Sequence, residues 1–231
     1  MHFGESQIHE KQVVEMKKEN KKVFWIAICI FVIFVLWTIL IRFVDIEAIG
    51  PEGSTVGFAK LNRFIHELTG VHMPLYYITD WLSLVPIGFV IGFALLGLVQ
   101  WIKRKKLSRV DGNLFVLGSF YIVVMLVYLL FEVLIINYRP ILINSHLEAS
   151  YPSSTTILVM CIMPTAIMQL NRRIKSNRLK ICIFILITAF TVFMVVARLL
   201  SGVHWFTDIV GGILLSTALV SLYRMICNFA K

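Results

Sequence analysis

Charged residues are scarce in this sequence, at 15% of its 231 residues, whereas 58% of the residues are hydrophobic. Soluble domains contain about 45–50% apolar residues. The composition therefore excludes an ordinary soluble protein and predicts an integral membrane protein with several spans. The net charge of +9 does not indicate a nucleic-acid partner, because the lysines and arginines of a membrane protein mainly set its topology.

Cysteine is scarce, and paired metal ligands are lacking. The sequence has four cysteines, each within an apolar run, which predicts small buried side chains and excludes a disulfide framework. No two carboxylates have the spacing that a magnesium or zinc site needs, so we predict no metal and no cofactor. The first apolar run starts late and lacks a small-residue cleavage site, which predicts an uncleaved anchor and no signal peptide.

Long apolar runs are what the sequence has in abundance. Their lengths predict an all-α integral membrane protein, a six-transmembrane helix bundle. The predicted spans are 23–44, 81–102, 114–136, 153–170, 181–199 and 208–226. Residues 1–22 are polar and mixed in charge, which predicts a cytoplasmic tail that is either a short helix or disordered. Residues 23–231 then form one six-span domain.

A further helix is predicted between the first two spans. After a turn signal at Gly50 and Pro51, apolar residues recur at helical spacing with charged residues between them. These apolar residues are Phe58, Leu61, Phe64, Ile65 and Leu68. The pattern predicts an amphipathic helix in the first outer loop, lying on the membrane surface or capping the bundle.

The distribution of basic residues predicts the orientation in the membrane. Six spans place both termini on one side, and all but five of the 22 lysines and arginines fall on that side. The five exceptions are Arg42, Lys60, Arg63, Arg139 and Arg198. Because basic loops stay in the cytoplasm, we expect a multi-pass cell-membrane protein with cytoplasmic termini. The loops after spans one, three and five then share the outer face.

The stretch from Ala197 to Asp208 concentrates ionisable residues between two apolar runs, and such residues at a membrane boundary are usually functional. His204 and Asp208 are four residues apart and would share one helical face. A carboxylate beside an imidazole fixes its tautomer and makes it a better base or nucleophile. The alternative is an interfacial cap, in which Arg198 meets lipid headgroups and Asp208 is a helix N-cap.

A second group of polar residues should converge on the same face. The loop after span three carries Arg139 and leads into the helix that Ser153 opens. Free backbone N–H groups at a helix start favour an anion, and two arginines give forked donors that suit phosphate. Together with His204, these residues predict an anion site for phosphoryl transfer without a metal.

Three short motifs in this order resemble the type 2 phosphatidic acid phosphatase superfamily, whose signature is K-x6-R-P, P-S-G-H and S-R-x5-H-x3-D. The third motif is Ala197-Arg198, five residues, His204, three residues and Asp208. The first keeps Arg139-Pro140, and the second reads Pro152-Ser153-Ser154-Thr155. The resemblance implies a six-span lipid phosphatase with His204 as nucleophile and Asp208 orienting it. It further implies that Arg139, Arg198, Ser153 and the neighbouring Ser154 bind phosphate.

Four motif positions depart from the family pattern: Glu132 replaces the lysine, Ser154 the glycine, Thr155 the histidine that protonates the leaving group, and Ala197 the first serine of the third motif. Loss of a general acid costs about 10²–10⁴ in rate. The loss matters less for a diphosphate, whose leaving group is a stabilised phosphate. The departures therefore favour a polyprenyl diphosphate over a phosphate monoester.

The altered positions leave alternatives open. Glu132 could pair with Arg139 or Arg198, or it could contact an amine on a substrate headgroup. His146 or Glu148, in the loop after span three, could supply the missing proton, or both could be solvated loop residues.

Two functions follow from these observations. The first is a membrane phosphatase or diphosphatase that hydrolyses a lipid phosphate at the extracytoplasmic face through a phosphohistidine. The second is a non-catalytic relative that binds phospholipid headgroups or a membrane partner. A transporter is disfavoured, because transporters carry ionisable residues near the middle of their spans.

Overall fold

The computed structural model describes residues 2–229, and these residues contain eight α-helices and no strands. Met1, at the start of the predicted tail, and Ala230 and Lys231, at the end of the predicted domain, lie outside the described residues. The helices are α1 (His2–Phe43), α2 (Ala59–Thr69), α3 (Met73–Leu82), α4 (Leu84–Arg104), α5 (Gly112–Val133), α6 (Ser154–Arg173), α7 (Asn177–Leu200) and α8 (Phe206–Phe229).

Six helical segments among the described residues are long and apolar enough to cross a membrane. They are Lys18–Phe43, Met73–Arg104, Gly112–Val133, Ser154–Arg173, Asn177–Leu200 and Phe206–Asn228. The predicted all-α, six-span architecture is thus confirmed. The first span lies on the same helix as the predicted tail, because α1 runs without interruption from His2 to Phe43.

The second span begins earlier than predicted. Its first turns are α3, which is separated from α4 only by Ser83, a residue that keeps right-handed helical dihedral angles. The sequence prediction began at residue 81 because Thr79 and Asp80 interrupt the apolar run. In the structure Thr79 is fully buried, and its hydroxyl donates to the backbone oxygens of Leu75 and Tyr76 at 2.9 Å.

The predicted amphipathic helix is confirmed as α2. Its apolar side chains Phe64 and Leu68 are 64% and 74% exposed, so they face away from the bundle. On the opposite face Asn62 is fully buried. Its amide nitrogen donates to Thr207 Oγ1 at 3.0 Å, and its amide oxygen accepts from the Thr207 backbone N–H at 3.2 Å. Asn62 therefore fastens α2 to the start of α8.

Helix α8 packs against α1 and α6, and small residues on α8 permit the close approach. A Cβ atom on Gly211 would collide with the ring of Tyr151, and one on Gly212 would lie 3.0 Å from Thr156 Cβ. This proximity brings the start of α6 to the start of α8, where the Ser153 N–H donates to the backbone oxygen of Asp208 at 3.1 Å.

Candidate active site

Two extended segments between α5 and α6 pair with each other. The Arg139 N–H donates to the Glu148 oxygen at 3.0 Å, and the Ser150 N–H donates to the Asn137 oxygen at 2.9 Å. Backbone hydrogen bonds of this kind hold both segments in fixed register. Arg139 and Ser150 are thus delivered to the site by one rigid unit, which we call the loop ladder (residues 137–139 and 148–150).

The turn between α7 and α8 supplies the other half of the site. Arg198 lies in the last turn of α7, and His204 lies in the turn before α8 begins at Phe206. The indole nitrogen of Trp205 donates to the Tyr138 oxygen at 2.8 Å, which joins this turn to the loop ladder. Gly202 has a φ of +71° and approaches the backbone of Gly70 closely. A side chain at position 202 would therefore displace the turn.

The expectation that His204 and Asp208 share a helical face is wrong, because only Asp208 is on the helix. Asp208 sits in the first turn of α8, where its Oδ2 accepts from the Trp205 backbone N–H at 2.9 Å. This bond is the half of a capping box in which an acidic side chain reaches back to the helix start. Asp208 thus stabilises the helix start while its carboxylate also faces the histidine.

Ser150 stands between the histidine and the carboxylate. His204 Nδ1 is 3.8 Å from Asp208 Oδ2, which is too long for a hydrogen bond. The Ser150 hydroxyl oxygen lies 3.1 Å from Nδ1, and the same hydroxyl donates to Asp208 Oδ2. Sequence reasoning missed Ser150. Its only signal is a position just before the second motif, on the loop that carries Arg139.

The Asp208 carboxylate acts as an acceptor in every side-chain contact the structure gives it. Besides Ser150 and the Trp205 N–H, the Asn137 side-chain amide donates to Oδ1 at 3.3 Å. Asp208 is fully buried. Three donors therefore hold both oxygens of this buried carboxylate in a fixed position.

Several donor and acceptor atoms at this site are buried without a hydrogen-bond partner among the described residues. They are Arg139 Nε and Nη1, Arg198 Nε and His204 Nε2. Burying such groups unpaired costs about 1–3 kcal/mol each, and more when they are charged. An anionic ligand would supply the acceptors that the two guanidinium groups lack, and it would place its central atom near the unpaired imidazole nitrogen.

The remaining contacts of the two arginines differ. Arg198 Nη1 donates to Thr79 Oγ1 at 3.1 Å, and the guanidinium carbon lies 4.8 Å from the centre of the Tyr76 ring. Arg139 Nε lies 3.0 Å from Glu148 Oε2, in an ion pair without hydrogen-bond alignment. Arg198 is thereby held by neutral groups and keeps its full positive charge for the site, whereas Glu148 offsets part of the charge of Arg139.

His204 is 3% exposed. Burial, together with the positive charges of Arg139 and Arg198, holds the pKa of His204 well below its usual value. Both effects disfavour the imidazolium form. His204 is therefore neutral at pH 7, with an unprotonated nitrogen available to react.

Comparisons with known proteins give the family. Residues 114–229, half of the chain, match the family model described as PAP2 superfamily. The chain belongs to the PAP2 superfamily. Its fold is also similar to the crystal structure of a transmembrane PAP2-type phosphatidylglycerolphosphate phosphatase from Bacillus subtilis. The TM-score is 0.56 and the identity 19%, over 89% of this chain and 97% of the other. None of the curated proteins compared with the chain matches it significantly.

A small cavity of about 20 Å³ opens beside His204. Among the altered PAP2 positions, Glu132 and Ser154 line this cavity together with Arg139 and Ser150. Within the described part of the chain, no ion pair joins Glu132 to an arginine. Arg139 forms its ion pair with Glu148 instead. Of the two alternatives for Glu132, pairing with an arginine is therefore wrong.

The other altered PAP2 positions lie outside this cavity. Thr155 lines a neighbouring groove whose walls are largely apolar, and Ala197 is buried at 3% exposure. His146 is exposed and does not line the cavity. Ser153 is fully buried, and its hydroxyl accepts from Thr156 Oγ1 at 3.1 Å. Because the Ser153 N–H is already bonded to Asp208, only α6 amides from Ser154 onward can meet an anion.

Proposed function

We propose that this PAP2 protein is an integral membrane lipid phosphatase or diphosphatase. The observation that carries the proposal is that His204 Nε2 and nitrogens of Arg139 and Arg198, whose charges act on the His204 ring, are buried without hydrogen-bond partners among the described residues. Electrostatic stabilisation by fixed donors is usually the largest contribution to phosphoryl-transfer catalysis. The buried arginines would provide it, with Ser154 at the cavity wall.

The proposed reaction proceeds in two displacements. The Nε2 lone pair of His204 attacks phosphorus, the bond from phosphorus to the leaving oxygen breaks, and a phosphohistidine forms. A water molecule then attacks this phosphorus, releasing inorganic phosphate and returning the electron pair to Nε2. Asp208 supports the positive charge that the imidazole ring gains in the first step.

The protonation that the leaving group requires favours a diphosphate as the substrate. Thr155 stands where the PAP2 pattern has its general acid, and it lines the neighbouring groove instead of the cavity. A lipid alkoxide needs a proton to depart, whereas a phosphate leaving group is already stable. The similar Bacillus subtilis protein is a phosphatidylglycerolphosphate phosphatase, so lipid monophosphates belong in the assay beside diphosphates.

A lipid chain has room beside the cavity. The neighbouring groove has a volume of about 420 Å³ and shares Tyr128, Ser154 and Ile157 with the cavity. Apolar side chains such as Ile87 and Met125 line it, which suits an acyl or polyprenyl chain. The distribution of basic residues supports cytoplasmic termini and a site at the extracytoplasmic face of the cell membrane.

The alternative is a non-catalytic PAP2 protein that binds lipid headgroups or a membrane partner. The observations that favour it are the acidic Glu132 in the cavity wall and the placement of Thr155 away from it. Such a protein would bind lipid phosphates at the same arginines without releasing phosphate.

Phosphate release by the purified chain tests the proposal. We expect release from a panel of lipid mono- and diphosphates, faster with diphosphates, and a loss of at least about 10³-fold in His204→Ala. His72→Ala is a matched control, because His72 is exposed and caps a local turn through the Thr69 oxygen. If wild type and His204→Ala release phosphate equally, the enzymatic function is wrong and the binding function remains.

A further inference from the structure

The contact between His204 and Asp208 is indirect. A 3.8 Å separation between Nδ1 and Oδ2 leaves the imidazole without a direct hydrogen bond to the carboxylate. Some other group must therefore decide which ring nitrogen carries the proton. The Ser150 hydroxyl is the group within hydrogen-bond distance of both.

The direction of each hydrogen bond follows from the number of protons available. A serine hydroxyl has one proton, and Ser150 donates it to Asp208 Oδ2. The Ser150 oxygen can then interact with His204 Nδ1 only as an acceptor, so Nδ1 must carry the imidazole proton. Neutral His204 consequently has its lone pair on Nε2, the atom that is buried without a partner among the described residues.

We propose that Ser150 is a positioning residue, whose hydroxyl relays the Asp208 carboxylate to His204 and fixes the tautomer that leaves Nε2 free in the cavity. The kinetic part of this inference rests on the proposed function of His204. The tautomer itself is a property of the resting protein and can be measured without turnover.

The backbone holds Ser150 in place for this role. Its N–H donates to the Asn137 oxygen at 2.9 Å, and the Asn137 side chain binds the other carboxylate oxygen of Asp208 at 3.3 Å. The two segments of the loop ladder thus hold both oxygens of one carboxylate. Ser150 is 3% exposed, so water has little access to replace its hydroxyl.

Loss of the hydroxyl should affect turnover more than binding. When phosphorus bonds to Nε2, the ring becomes positively charged and the Nδ1–H needs a strong acceptor. In Ser150→Ala the hydroxyl acceptor is gone and the carboxylate is too far away to replace it, so only the Ser150 backbone remains as a weaker, uncharged acceptor beside the ring. The arginines that bind phosphate are untouched, so the Michaelis constant should change little.

Nitrogen-15 spectra of histidine give the direct test. The full chain, labelled with ¹⁵N-histidine in detergent micelles at pH 7.5, is compared with His204→Ala to assign the His204 signals. We expect a protonated Nδ1 and an unprotonated Nε2 in wild type, and a mixture of both tautomers in Ser150→Ala. A wild-type His204 protonated at Nε2 overturns the proposal whether or not any variant folds.

Kinetics give the second readout. We expect Ser150→Ala to lower kcat about 10- to 100-fold with less than about a threefold change in KM, and Ser150→Thr, which keeps a hydroxyl, to recover part of the loss. Ser221→Ala, whose hydroxyl bonds only its own helix at Thr217, is the matched control. An unchanged kcat with an unchanged tautomer in Ser150→Ala overturns the proposal. If wild type releases no phosphate, the proposed function fails and the tautomer alone decides the role of Ser150.

Discussion

The two ends of the helix bundle each contain a cluster of polar side chains within a mostly apolar protein. At one end, the site cluster comprises Arg139, Ser150, Arg198, His204 and Asp208. At the other, the far cluster comprises Asp111, Asn113, Gln169, Arg173 and Tyr223. Both clusters contain buried side chains and positive charge, yet their hydrogen bonding differs.

In the far cluster the polar groups satisfy one another. The Gln169 amide, fully buried, donates to Tyr223 at 2.7 Å and to the Asn113 oxygen at 3.3 Å. Arg173 pairs with Asp111 at 3.0 Å and donates to the Gln169 backbone oxygen at 2.9 Å. The buried side-chain nitrogen and oxygen atoms of the far cluster all have hydrogen-bond partners among the described residues.

In the site cluster, donors of two arginines and one histidine nitrogen have no hydrogen-bond partner within the part of the chain that the structure describes. A satisfied network stabilises helix packing, whereas unsatisfied buried groups cost stability and persist where a ligand completes them. Two kinds of buried polar residue thus coexist in one membrane protein. One kind holds helices together, and we propose that the other binds a ligand.

Replacing an arginine in each cluster should give the largest difference in activity between the two clusters. We expect Arg198→Lys to lower kcat/KM about 10²–10³-fold, because lysine loses the forked donors and the contact with Tyr76. Arg173→Lys is the matched control in the far cluster and should keep activity within about twofold. Phosphate release by both purified variants is the measurement. Equal losses would mean that the two clusters do not differ in function.

Changing the charge of Glu132 should have a smaller effect. We expect Glu132→Gln to lower KM for a plain lipid diphosphate about fivefold, since one charge near the cavity contributes about 1 kcal/mol. A substrate with an amine in its headgroup should instead bind Glu132→Gln more weakly. Glu52→Gln, in the exposed turn between α1 and α2, is the control. KM values that stay unchanged for both substrates would show that Glu132 does not contact the ligand.

Removing one hydroxyl from the far cluster should have the smallest effect on activity. We expect Tyr223→Phe to lower the free energy of unfolding by about 1 kcal/mol, because the Gln169 amide nitrogen loses the closer of its two acceptors. This loss corresponds to a fall in Tm of about 2–4 °C, with kcat/KM within about twofold. Tyr77→Phe, at a 55% exposed tyrosine, should change neither quantity. A drop in activity without a change in Tm would place Tyr223 in the functional network.

Much of the fold was predictable because membrane spans are long and their composition is extreme. The six apolar runs and the helical spacing from Phe58 to Leu68 predicted the bundle and α2. The start of the second span was missed because Thr79 and Asp80 resemble a loop, although Thr79 satisfies its hydroxyl within α3. A polar residue whose side chain bonds its own helix cannot be distinguished from a loop residue by the sequence alone.

The site was predictable only in part. The spacing of Arg198, His204 and Asp208 drew attention to the right turn, and the topology predicted that Arg139 would join them. Ser150 was not predictable, because its importance depends on a gap between two side chains that the sequence does not reveal. The contact between Arg139 and Glu148 depends likewise on pairing within the loop ladder, whose segments lack any strand pattern.

The tight packing at Gly211 limits which residues this position can accept during evolution. Position 211 belongs to none of the three motifs, yet any side chain there would displace Tyr151 and, with it, the neighbouring Ser150. Random mutagenesis should therefore find inactivating substitutions at this glycine, outside every recognisable signature. Thr155 occupies a motif position yet differs from the family pattern, so we expect mutational tolerance in this protein to follow steric proximity more closely than motif membership.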